Sequence, residues 1–199
     1  MLLKKGDIVL FHGSGWLSAA IRRFSTSPGE KRPTVFNHVG IIVGDGSDGT
    51  GGTMVEALST VRRTDFTQRM NEAGQRIMVA RKIGLTNQDR NSLALYAQGQ
   101  VGRKYGYGKI AAHFGDWALG QILRTDIYAF RRITGSGRYP ICSWVVAFAY
   151  HRALWEFCFH SIQPEYCQPD DIGDDILEGR LARWEIIYSH PALNLDGRI

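Results

Sequence analysis

The 199-residue sequence has no run of about 20 uninterrupted apolar residues, and even its most apolar stretch, 144–159, is broken by His151, Arg152 and Glu156. No integral membrane segment is predicted. Cysteine is scarce: Cys142, Cys158 and Cys167 stand at spacings that match neither a disulfide framework nor a CxxC metal site, so reduced thiols are expected. No HExxH cluster occurs, and His113 and His151 lack a second ligand at i+3 or i+4, so neither a metal nor another cofactor is expected. The glycines of 45–52 are followed by neither Gly-Lys-Ser/Thr nor a helix, which argues against a phosphate-binding loop. The formal net charge is +5, but the basic residues are scattered in short pairs such as Arg22-Arg23, Arg62-Arg63 and Arg131-Arg132. That pattern predicts no nucleic-acid partner, while it suits an anionic polymer. The N-terminus lacks the charged and then apolar order of a secretory signal, which predicts a chain cytoplasmic at synthesis.

What is present is an ordinary globular composition, 44% hydrophobic and 22% charged, long enough to fold as one domain over 1–199. Strands are predicted at 7–11, 36–43, 53–58, 76–82 and 183–188, and helices at 16–24, from Thr86 to Gly102, through Leu123 after the segment 105–114, from Cys142 onward and from Pro169. Alternation in 36–43 turns Val39, Ile41 and Val43 one way and His38, Gly40 and Ile42 the other, with Gly40 expected to leave open space beside His38. The glycine-rich 45–52 is a hairpin connection, so 53–58 is predicted to run antiparallel to 36–43. The helix that opens at Cys142 is apolar on nearly every face as far as Ala149 and is predicted to lie at the centre of an α+β fold.

Two residues far apart in the chain carry the chemistry. Cys142 at a helix N-terminus meets unpaired N–H groups and about half a unit of positive charge, both of which favour a thiolate. His38 supplies a base, and Glu56, brought alongside by the hairpin, is placed to accept one ring N–H while the other ring nitrogen faces the thiol. Nucleophile, base and an orienting third group are what thiol catalysis requires. Cys158 and Cys167 have no such company and are read as structural.

The blocks Gly6-Asp7-Ile8-Val9-Leu10-Phe11, Asn37-His38-Val39-Gly40-Ile41-Ile42-Val43, Val55-Glu56-Ala57, Ile141-Cys142-Ser143-Trp144-Val145-Val146 and Pro169-Asp170-Asp171-Ile172 together resemble the permuted papain-like amidases. These form the circularly permuted branch of the NlpC-type cysteine hydrolases, a branch that includes the lecithin retinol acyltransferase-like proteins. The resemblance implies a permuted papain-like α+β fold in which an antiparallel sheet packs on a central helix carrying the cysteine. It also implies a nucleophilic Cys142, a general base His38, an orienting Glu56, an acyl-enzyme, and the Cys142 N–H as an oxyanion donor. A glutamate rather than a histidine at the third position favours the amidase side of the group. Asn37, Ser143, His12, Trp16 and Tyr105 are candidate oxyanion or substrate contacts. His12 and Asn37 also have plain readings as turn residues bonded to backbone, and Trp16 and Tyr105 as core aromatics. The block 105–108 lacks an aspartate that relatives often carry there. The expected substrate is a peptide amide of a bacterial cell wall polymer, which a chain without a signal would reach by release or aboard a virion. Hydrolysis or transfer of an acyl lipid ester or N-acyl amide is the alternative, followed by isopeptide deconjugation. A non-catalytic binding or structural module, with protein partners in a larger assembly such as a phage tail, is the reading from a different class.

Overall fold

A computed structural model of the chain describes residues 1–13, 35–45, 52–72, 76–106, 140–159, 162–178 and 183–193, together with 18, 19, 22, 115, 116, 118–120, 122 and 123. Of the helices expected over 16–24 and through Leu123, residues 18, 19 and 22 and residues 115, 116, 118–120, 122 and 123 are described and are helical; the rest fall outside the described residues. So do the loop tip 46–51 and the side chain of Trp16.

Six strands form one antiparallel sheet: β1 (Ile8–His12), β2 (His38–Gly44), β3 (Thr53–Ala57), β4 (Val61–Asp65), β5 (Arg76–Lys82) and β6 (Trp184–Ser189). Their spatial order is β4-β3-β2-β1-β5-β6. Helices α1 (Phe66–Asn71), α2 (Asn87–Gln98), α3 (Cys142–Leu154) and α4 (Pro169–Leu177) accompany the sheet among the described residues. Among the described residues no helix is long and apolar enough to cross a membrane.

Alternation sorts the strand residues onto two faces. Ile8, Leu10, Val39, Ile41, Val55, Met78 and Ala80 join the larger apolar cluster with α2 and α3, while Val9, Phe11, Ile42, Met54, Ile77 and Val79 build a smaller one with Phe66 on the opposite face. α3 is buried along most of its length, as its uninterrupted apolar sequence requires. Its last turn closes on Trp155 in the left-handed region at φ 56, whose N–H donates to the His151 carbonyl. α2 begins with a capping box: Thr86 Oγ1 accepts from the Asp89 N–H at 3.1 Å and Asp89 Oδ2 accepts from the Thr86 N–H at 2.9 Å. It ends at Gln98 with Gly99 as its cap, earlier than the predicted Gly102, and Val101 beyond it is exposed.

The space beside Gly40 is filled, contrary to the expectation from its missing side chain. A methyl group there would stand 2.5 Å from Met54 Sδ and 3.2 Å from the Val55 carbonyl oxygen. Gly40 therefore lets the fully buried Met54 pack across β2. Gly40→Ala is expected to destabilise the fold by about 1–3 kcal/mol through overpacking. A denaturation midpoint equal to that of the wild type would contradict this.

Candidate active site

β2 pairs with β3 in a register that sets Gly40 opposite Glu56. His38 then lies two residues further along the same face, diagonal to Glu56 and within reach of a long side chain. The His38 ring donates from Nε2 to Glu56 Oε2 at 2.7 Å. The same ring is hydrogen-bonded to Cys142, which leaves Nδ1 as the atom toward the thiol. The β2–β3 ladder ends at the Gly40–Glu56 pair, and the backbone N–H of Val39 just beyond it is donated to the Cys142 sulfur. The Ser143 N–H is donated there too. Ile141, the N-cap residue of α3, makes no side-chain cap hydrogen bond, so no cap side chain competes for the N–H groups of the first turn.

Burial alone would hold Cys142 protonated, but the positive charge and hydrogen bond of His38 and the two backbone N–H groups outweigh it and lower the thiol pKa. Burial would likewise discharge His38; the adjacent Cys142 and then Glu56 raise the ring instead, to about 9. Glu56 is wholly buried, yet His38, Arg69 and Thr64 overcome that burial and lower its carboxyl to about 2. The other two thiols go the opposite way. Burial raises Cys158 to about 12, with Glu156 adding to it against Lys82, and burial raises Cys167 well above the ordinary thiol value. Only Cys142 among the three is biased toward thiolate, the nucleophilic form.

Residues 2–113 match the family described as permuted papain-like amidase enzyme, YaeF/YiiX, C92 family. The chain belongs to this family. The matched region holds His38 and Glu56 and ends ahead of Cys142. No curated protein matches the chain. The crystal structure of the metalloprotein yiiX from Escherichia coli O157:H7 is similar, at 21% identity over 80% of this chain and 71% of that one with a TM-score of 0.56. That likeness shows a shared fold. The family places the chain among the permuted papain-like amidases of the cysteine-peptidase class. Among its described residues no group of three or more His, Cys, Asp or Glu side chains is arranged to hold a metal ion.

The remaining described candidate residues of this member of the permuted papain-like amidase family have other contacts. Ser143 is wholly buried and its hydroxyl donates to the Cys167 carbonyl at 2.6 Å, so its side chain braces α3 and is not open to a substrate. The Asn37 side chain accepts from the Gly13 N–H at 2.7 Å and donates to Ser18 Oγ at 3.0 Å, which ties down the chain after β1. His12 Nδ1 is 2.6 Å from the Val35 carbonyl, the backbone-satisfied arrangement. Tyr105 is half-buried and packs against the larger core cluster.

Three contributors were not anticipated from the sequence: the Val39 N–H, Thr64 and Arg69. Thr64 Oγ1 donates to Glu56 Oε1 at 2.9 Å and Arg69 Nε donates to Glu56 Oε2 at 3.2 Å. Arg69 is carried by α1, whose N-cap Asp65 accepts from the Gln68 N–H at 2.7 Å. Asp65 followed three residues later by Gln68 is a helix-start signal available in the sequence.

These charges set a pH window for stability. A carboxyl lowered from 4.5 to about 2 contributes stability that is full above about 4.5 and is lost as pH falls through about 2. His38, raised from 6.5 to about 9, contributes stability that is full below 6.5 and is lost as pH rises through about 9. Cys142, lowered, works in the other direction as pH rises and offsets part of that loss. The acid limb is therefore the clean one. The stability gap between wild type and Glu56→Gln is expected to be constant from about pH 5 to 6 and to close by an amount on the order of 3 kcal/mol as pH falls toward 2. Urea midpoints across that range check it, and a gap indifferent to pH would contradict it.

Proposed function

We propose that this chain is a cysteine hydrolase that cleaves an amide through Cys142, His38 and Glu56, with a thioester acyl-enzyme between its two half-reactions. The observation that carries this reading is one imidazole hydrogen-bonded both to Cys142 and, at 2.7 Å, to a buried carboxylate.

The resting pair is Cys142 thiolate and His38 imidazolium. The thiolate attacks the amide carbon, the new C–S bond pushes the carbonyl electron pair onto oxygen, and the N–H of Cys142 at the helix end receives that oxyanion. As the intermediate collapses, the C–N bond breaks and His38 gives its Nδ1 proton to the departing amine. Neutral His38 then takes a proton from water, the hydroxide adds to the thioester carbonyl, and loss of the Cys142 sulfur releases the acid. Glu56 stays ionised throughout, holding the ring and balancing its charge.

The substrate we propose is a peptide amide of bacterial cell wall. Two things support it: the family's amidase class and a net charge of +5 suited to an anionic polymer. Incubation with purified sacculi and, separately, with phospholipid vesicles, followed by mass analysis of products, tests the class. Release of peptide fragments from sacculi alone is expected. Free fatty acid from the vesicles would redirect the assignment to acyl lipids, and retention on sacculi without cleavage would favour a binding module delivered with partner proteins.

A further inference from the structure

The carboxylate of Glu56 is held by three donors from three elements. His38 of β2 and Arg69 of α1 share Oε2, and Thr64 of β4 takes Oε1. Arg69 is itself almost fully buried, and its guanidinium lies 5.1 Å from the centre of the Phe11 ring. Phe11 in turn packs against the His38 ring, centroid to centroid at 5.3 Å. Phe11, His38, Glu56 and Arg69 thus form a closed circuit of side chains, each touching the next. A buried arginine that only tied α1 to the sheet would have no need to meet the base's own acceptor atom and the ring beside that base.

We propose that Arg69 is a positioning residue for His38: it fixes the plane of the Glu56 carboxylate through Oε2 and, through Phe11, the tilt of the imidazole that serves Cys142. This rests on the triad reading above. Arginine suits the post because its charge is permanent and its planar fork reaches two carboxylates at once. The second is Glu72, which also bonds Arg69 and is 41% exposed. Glu72 draws off part of the guanidinium's charge and thereby sets how much of it Glu56 receives.

The other groups around the circuit are accounted for. Arg62, across the strand pair from Glu56, is exposed to solvent. Thr64 is neutral, and Cys167, the charge neighbour of Cys142, is kept protonated by burial. Among the described residues, Arg69 and Glu72 are therefore the charges left to shift Glu56 and His38 together.

The test is the pH profile of iodoacetamide labelling at Cys142, read by peptide mass analysis in the full chain. Arg69→Met keeps the apolar stem over Phe11 and removes charge and donors, so both limbs of the profile are expected to move up, by about one pH unit. Glu72→Gln, at an exposed position, is expected to move both limbs down by a smaller amount, and the shift should vanish in the Arg69→Met background. Arg69→Lys should hold the limbs near their wild-type positions. A purely structural role predicts weaker folding with unmoved limbs. Superimposable profiles for wild type and a folded Arg69→Met would overturn the proposal; if that variant does not fold, a Glu72→Gln profile that stays put or moves up would do so. A wild type whose Cys142 labels no faster than Cys158 or Cys167 would instead refute the triad reading itself.

Discussion

Cys142→Ala is expected to leave a folded protein with no measurable hydrolysis, a loss of at least about 10⁴-fold, because among the described residues Cys142 is the one thiol biased toward thiolate and so able to form the acyl bond. The substitution removes one sulfur at the first turn of α3 and leaves the helix, the Ser143 bond to the Cys167 carbonyl and the apolar packing around them intact. Cys142→Ser should be nearly as inactive. A hydroxyl in the same place is far too weak an acid for His38 to ionise. Circular dichroism establishes the fold, and the release of amine or peptide from sacculi measures turnover. Residual activity near the wild-type level in Cys142→Ala would mean that the chemistry lies elsewhere in the chain.

Loss of the base or its orienting partner comes next in size. His38→Ala removes both the proton donor to the leaving amine and the positive charge that lowers Cys142, and is expected to cost about 10²–10⁴ in rate. Glu56→Gln should fall in the same range, with a different signature. Glutamine can still accept from the ring through its carbonyl oxygen, so the geometry survives. It cannot balance the imidazolium, and it leaves the charge of Arg69 without its buried partner. Its cost should therefore appear in kcat with little change in KM, whereas an effect confined to KM would assign Glu56 to substrate binding.

The parts of the site that could be read in the sequence are those that depend on local patterns. Alternation placed His38 and Glu56 on facing strands, the glycine-rich connection made those strands a hairpin, and the apolar run after Cys142 marked the buried helix; pairing of β2 with β3 and burial of α3 agree with each step. Periodicity says nothing about pieces without it. Val61–Asp65 is an edge strand whose residues are charged or polar after Val61, so no alternation announces it between β3 and β5. Thr64 goes with that strand, whereas Arg69 lies on α1, whose Asp65 and Gln68 start signal is present in the sequence. The Val39 N–H was hidden for another reason: backbone donors are the same in every sequence, and this one matters because the ladder stops one residue short of it. Gly40 failed differently, since a missing side chain does not say whether a neighbour, here Met54, will fill the gap. Ser143 sits in the right block, but its hydroxyl was claimed by a carbonyl from residue 167, a contact no local pattern encodes.

Catalysis by Cys142 requires a thiolate made by His38, and competitive alkylation of the three thiols in wild type and His38→Ala reads that directly. Exposure alone would put Cys158, at 8%, ahead of Cys142, at 4%. A His38-made thiolate reverses that order: at neutral pH iodoacetamide is expected to modify Cys142 first in the wild type, and His38→Ala to slow that labelling until the pH approaches the pKa of an ordinary thiol. Labelling ordered by exposure, or a Cys142 rate unchanged when His38 is removed, would contradict it.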